Sequence, residues 1–134
     1  MRRQLRFLLP LPLLAILLWT GCDDKANQPM GVLVFSKTAG YRHASIADGK
    51  RMFLQLGREN NFRVDTTEDA TVFTQANLSK YKVVVFLSTT GDILDTRQQE
   101  EFQRFIQAGG GFVGIHAAAD TEYDWPWYNK LVGA

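Results

Sequence analysis

Three segments of the chain are continuous apolar runs: Met30–Phe35, Lys82–Leu87 after its leading lysine, and Gly111–Ile115. They are short and rich in β-branched residues, the pattern of strands covered on both faces of a parallel sheet. A fourth segment, Phe62–Thr66, alternates apolar and polar residues and reads as a strand nearer a sheet edge. Helical periods lie between the strands. Ser45-Ile46-Ala47-Asp48 has the form of a capping box and predicts a helix to about Glu59, with Ile46, Gly49, Phe53 and Leu56 facing inward. Asp95 can cap another helix carrying Phe102, Phe105 and Ile106, which Gly109-Gly110-Gly111 would end. A short helix is expected over Gln75–Lys80, and Asn129–Ala134 carries no helix signal. The alternation of strand and helix predicts an α/β fold: a flavodoxin-like, doubly wound parallel sheet. Four strands make it a thin, partial sheet.

The amino-terminal region has a different pattern. Met1–Arg6 is basic, and Phe7–Trp19 is apolar but contains Pro10 and Pro12. A bilayer crossing takes roughly 20 apolar residues. The run is shorter and reads as the core of a secretory signal. It leads into Trp19-Thr20-Gly21-Cys22, which resembles a bacterial lipobox, with Trp19 where leucine is usual. Cys22 is the one cysteine of the chain, and a thiol is the nucleophile that accepts the lipid. The expected organisation is a lipoprotein signal peptide over 1–21, lipidation at Cys22, a polar tether over 22–29, and a domain from residue 30 to 134. Acyl chains on Cys22 would hold the protein to a membrane at the cell envelope, on its periplasmic or cell-surface face. No disulfide can form within the chain.

Charge narrows the partners. The 134 residues hold 15 Lys and Arg against 14 Asp and Glu. Arg2, Arg3 and Arg6 precede Cys22, so the part after the signal is slightly acidic. It has no long basic run, which weighs against a nucleic-acid partner. Neither a G-x-G-x-x-G fingerprint nor a P-loop follows the first strand. Glu68 and Asp69, which follow the second, are expected to be solvated.

In an open parallel sheet, ligands bind beyond the carboxyl ends of the strands. Three loops leave those ends: Ser36–His43, Ser88–Asp92 and His116–Tyr128. They gather both histidines with hydroxyls, carboxylates and aromatic rings. His116 follows a strand directly and suits acid/base chemistry near neutral pH. Asp120 is four residues on, where a helical start would put it on the same face as an orienting partner. His43, Thr89, Thr90, Asp92, Tyr123 and Trp125 are candidate ligand contacts. The rings of Tyr123, Trp125, Trp127 and Tyr128 could stack on sugar C–H faces, or could pin the loop as a local apolar cluster. His43, His116 and Asp120 are candidate ligands for a divalent metal such as zinc, as an incomplete set.

These blocks together carry a resemblance. Val32–His43, Thr89–Asp92, Gly109–Asp120 and Tyr123–Tyr128 resemble the signature blocks of the ThuA-like (trehalose-utilisation) family. The resemblance implies a class I glutamine amidotransferase-like fold and a carbohydrate ligand, of the trehalose type or an oxidised disaccharide. It leaves two readings open, an enzyme and a non-catalytic sugar-binding lipoprotein. Amidotransferases of this fold carry a nucleophilic cysteine at the strand-to-helix elbow; here that place reads Ile115-His116-Ala117, so thiol chemistry is excluded. Domains of the family run well past this length, so residues 30–134 are expected to be its amino-terminal part, and a truncated, inactive fragment is a third reading.

Overall fold

The computed structural model describes residues 29–133. The expected signal peptide, Cys22 and most of the tether lie outside the described residues. Four strands form one sheet: β1 (Gly31–Phe35), β2 (Arg63–Thr67), β3 (Val83–Leu87) and β4 (Gly111–Ile115). Their order is β2-β1-β3-β4 and every pairing is parallel. This is the order of the first four strands in flavodoxin-like doubly wound sheets. The helices are α1 (Ile46–Glu59), α2 (Gln75–Leu78), α3 (Thr96–Gln107) and α4 (Pro126–Val132).

Because side chains alternate along a strand, the two central strands feed two cores. Leu33, Phe35, Val84 and Phe86 point to one side, where Phe73, Phe102 and Tyr128 meet them. Val32, Val34, Val85 and Leu87 point to the other, where Phe53 of α1 packs. The first core is aromatic at its centre. The ring of Phe86 stacks on Phe102 at 5.1 Å between centroids, and Phe35 meets Phe73 edge-on at 4.8 Å. β1 is buried along its whole length, which explains its unbroken apolar run.

Most elements lie where the hydrophobic pattern predicts, and four expectations need correction. Ser45 makes no capping bond, because its own backbone is helical, at φ −66° and ψ −12°, whereas a cap needs an extended residue. Asp48 instead pairs with Arg51. Leu56 is 37% exposed, and the inner face of α1 continues through Gly57. A Cβ on Gly57 would stand 2.7 Å from the carbonyl oxygen of Phe62 and 2.8 Å from Val64 Cγ2, so glycine lets the helix end press on β2. β4 is not covered on both faces: it forms an edge of the described sheet, and Val113 is 43% exposed. Lastly, residues 126–132 are helical. Pro126 supplies the fixed φ of a first turn, and Gly133, at φ 78°, ends the helix.

Asp95 caps α3 as predicted. Its carboxylate accepts from the Gln98 N–H at 2.8 Å, and the Gln98 side chain accepts from the Asp95 N–H at 3.0 Å.

Candidate functional site

All three predicted loops leave the carboxyl ends of parallel strands, and the two flanking the switch in strand order follow β1 and β3. Beyond the strands the loops continue to pair. Thr38 bridges to Thr90, and Gly91 bridges to Thr121. The Gly91 N–H donates to the Asp120 carbonyl at 2.8 Å, and the Glu122 N–H donates to the Gly91 carbonyl at 3.2 Å. The β3 loop thus zips the other two together.

This stitching brings the two histidines into contact. The His43 and His116 rings meet edge-to-face with centroids 4.4 Å apart. Together with Ala117, Ala119 and Asp120 they line an open cleft of about 430 Å³. His116 holds φ at 53°, in the left-handed region, at the junction between β4 and a 3-10 turn over His116–Ala119. A side chain there costs roughly 1–2 kcal/mol. His116 is exposed, and strained residues of this kind cluster at functional sites. His43 also meets the Tyr41 ring, at 4.9 Å.

Asp120 shares the cleft wall with His116. Among the described residues no hydrogen bond or ion pair joins the two, and no three acidic, histidine or cysteine side chains converge as a metal site would need. The His43–His116–Asp120 set therefore does not fit a closed tetrahedral zinc centre.

The remaining candidates fall into two groups. Asp92 is exposed on the β3 loop and does not line the histidine cleft. Tyr123 is 61% exposed. The others are engaged internally. Thr89 is fully buried, and its hydroxyl bonds to that of Thr121 at 2.9 Å. The Thr90 hydroxyl accepts from the Gly40 N–H at 3.2 Å and donates to the Tyr41 carbonyl at 2.9 Å. Trp125 lies against Phe102, Trp127 and Tyr128, so three of the four clustered aromatics pack on the core. Tyr128 is buried, and its hydroxyl donates to the Ala118 carbonyl at 2.7 Å. Burial pushes its ionisation upward, and the Glu122 carboxylate adds to that.

Glu122 was not visible as a key residue in the sequence. It is 1% exposed, with φ at 56°. Its Oε1 accepts from the Ile93 N–H at 2.8 Å and the Leu94 N–H at 2.7 Å, and its Oε2 accepts from Gln99 Nε2 at 2.6 Å. It ties the loop carrying Asp120 to the entry of α3. On the other flank, Glu68 receives both guanidinium nitrogens of Arg42, at 2.8 and 2.9 Å, and Lys50 Nζ at 2.5 Å. The bonds from Arg42 and then Lys50 hold its carboxyl at about 2, against an ordinary 4.5. Neither carboxylate has a sequence signal that separates it from a solvated loop charge.

With that geometry in place, three comparisons bear on kinship. No curated protein matches this chain. The fold matches the crystal structure of a ThuA-like protein from Bacteroides uniformis ATCC 8492 with a TM-score of 0.66 and 26% sequence identity. The match covers 81% of this chain and 45% of the other, so this chain spans less than half the length of that protein. The profile of the ThuA family, described as trehalose utilisation, matches residues 31–134. That match runs through all four strands and the three loops at their carboxyl ends, and the chain belongs to the ThuA (trehalose utilisation) family.

Proposed function

We propose that the chain serves carbohydrate utilisation at the cell envelope by holding a sugar, of the trehalose type or its oxidised form, in the open cleft lined by His43, His116 and Asp120. One observation carries this reading. The chain has two histidines, and folding brings them to 4.4 Å of each other beside Asp120, at the carboxyl ends of parallel strands. Core packing does not account for the pair, since His43 is only half-buried and His116 is exposed. An imidazole donates to or accepts from a sugar hydroxyl and moves protons near neutral pH. His116 is the acid/base candidate, His43 a second polar contact, and Asp120 a carboxylate on the same wall. The family's link to trehalose utilisation supports the choice of sugar class.

The second reading, a sugar-binding protein without turnover, is favoured by one detail. His116 lacks a hydrogen-bonded carboxylate among the described residues to orient its ring, as general bases commonly have. The envelope location rests on the basic start, the apolar run and Cys22. A fatty-acid analogue should label the wild type and leave Cys22→Ala unlabelled; equal labelling would remove the anchor.

With two histidines, the imidazole Hε1 region of the proton spectrum has one signal per candidate residue. Titrating the full chain with trehalose and with a 3-keto disaccharide should shift both signals. Turnover of either sugar selects the enzyme, and a shift without turnover selects the binding protein. If no sugar moves either signal, the cleft is not a sugar site.

A further inference from the structure

We infer that Tyr41 is the stacking platform of the His43–His116 cleft, the surface on which the apolar face of a pyranose ring packs; this rests on the sugar-site reading above. Tyr41 is 72% exposed, the highest value among the exposed large apolar side chains of the described residues. An aromatic ring left this open forfeits the burial that ordinarily stabilises it. It stands at the rim of the site, beyond the cleft wall itself: Tyr41 meets His43 at 4.9 Å, and His43 meets His116 at 4.4 Å. The Tyr41–His43 contact is edge-on, at 79° between planes, which leaves at least one face of the phenol ring uncovered.

The backbone around Tyr41 is fixed although its ring is free. On one side the Ala39 N–H donates to the Thr90 carbonyl at 2.8 Å, and the Gly40 N–H donates to the Thr90 hydroxyl at 3.2 Å. That hydroxyl donates in turn to the Tyr41 carbonyl at 2.9 Å. On the other side Arg42 is held in a two-pronged pair by Glu68. The close approach of the two loops needs glycine at 91: its φ is 71°, and a Cβ would come 3.2 Å from Ala39 Cβ and 3.3 Å from the Gly40 N. Thr90 thus acts as a clamp that presents Tyr41, rather than as a sugar contact. A flat apolar face beside hydrogen-bonding imidazoles fits a pyranose ring, which has C–H groups on its face and hydroxyls on its rim. Trp125, Trp127 and Tyr128 are not available for this, because they pack on the aromatic core.

The test compares the full-length wild type with Tyr41→Phe, Tyr41→Leu and Tyr41→Ala. Each is titrated with trehalose and with the open-chain polyol sorbitol, reading the His43 and His116 imidazole signals. Tyr41→Phe keeps the flat face and should bind trehalose as the wild type does. Tyr41→Ala and Tyr41→Leu should each bind it about tenfold more weakly, with unchanged thermal unfolding. Sorbitol, which has no ring face, should respond alike in all four. If trehalose shifts the histidine signals equally in the wild type and Tyr41→Ala, the platform is refuted while the sugar site stands. Leucine restoring full affinity would also overturn it, by showing that apolar bulk suffices. If trehalose moves neither signal in the wild type, the sugar site falls and the platform with it.

Discussion

Removing the Glu122 side chain exposes how the cleft is held together. In Glu122→Ala the N–H groups of Ile93 and Leu94, both in buried residues, lose their acceptor, and Gln99 loses its partner. A buried donor left unmade costs about 1–3 kcal/mol. Gln99 is partly exposed and can turn to water, so the two backbone groups dominate and the expected loss is about 3 kcal/mol. Alanine gives no relief at φ 56°, whereas glycine does, so Glu122→Gly should lose about 1 kcal/mol less than Glu122→Ala. Glu122→Gln keeps an oxygen for the two N–H groups, and its amide can pair with a rotated Gln99; the lost charge assistance costs about 1 kcal/mol. Urea unfolding of the full-length variants should place their midpoints in the order Gln, Gly, Ala below the wild type, with equal slopes. A second readout is Tyr128, whose ionisation is raised first by burial and then by this carboxylate, so Glu122→Gln should bring it down. The account fails if Glu122→Ala unfolds within about 0.5 kcal/mol of the wild type, or if Gln costs as much as Ala.

Three further outcomes are expected. His116→Gly should stabilise the fold by about 0.5 kcal/mol, by removing a side chain from left-handed backbone, while abolishing the sugar response of the His43 signal; thermal unfolding and the titration above check both. Glu68 is held near 2 from an ordinary 4.5, so its contribution is complete above about 4.5 and is lost as pH falls toward 2. With its side chain 38% exposed the contribution stays below about 1 kcal/mol, and Glu68→Gln should flatten that part of the acid unfolding curve. Gly57→Ala should cost about 1–3 kcal/mol by denaturation, despite the better helix propensity of alanine, because the new methyl meets the Phe62 carbonyl and Val64.

The strands were legible because burial writes itself locally: Val32–Phe35 and Val83–Leu87 cannot be anything polar. α3 was legible from both ends, since Asp95 caps it and Gly109 closes it with φ at 94°. The start of α1 was misread because Ser45 and Asp48 have the right identities, and only the backbone reveals that Ser45 is already helical. An apolar run does not say whether its strand is central, so the exposure of Val113 came from strand order, a tertiary fact. α4 carries its signals in Pro126 and Gly133, but the aromatic residues between them suggested a binding loop. The approach of His43 to His116 was expected from topology, each being placed after a strand end. The inward turn of Thr89 and Thr90 was not, because it depends on the pairing of the β3 loop with its neighbours. Glu122 is the extreme case: nothing local distinguishes a loop glutamate in water from one enclosed by three donors.

The strand order also governs how the chain behaves while it is being made. β1 lies between β2 and β3, yet it is the first of the described strands to be synthesised. Val32-Leu33-Val34-Phe35 must wait for Arg63–Thr67 on one side and for Val83–Phe86 on the other. Pairings this distant in sequence form slowly. Through that interval the nascent chain displays an uncharged, β-prone segment with both edges open, the kind that seeds aggregation. A holdase chaperone that shields an emerging chain would have a target here, well before His116 and Asp120 of the cleft exist.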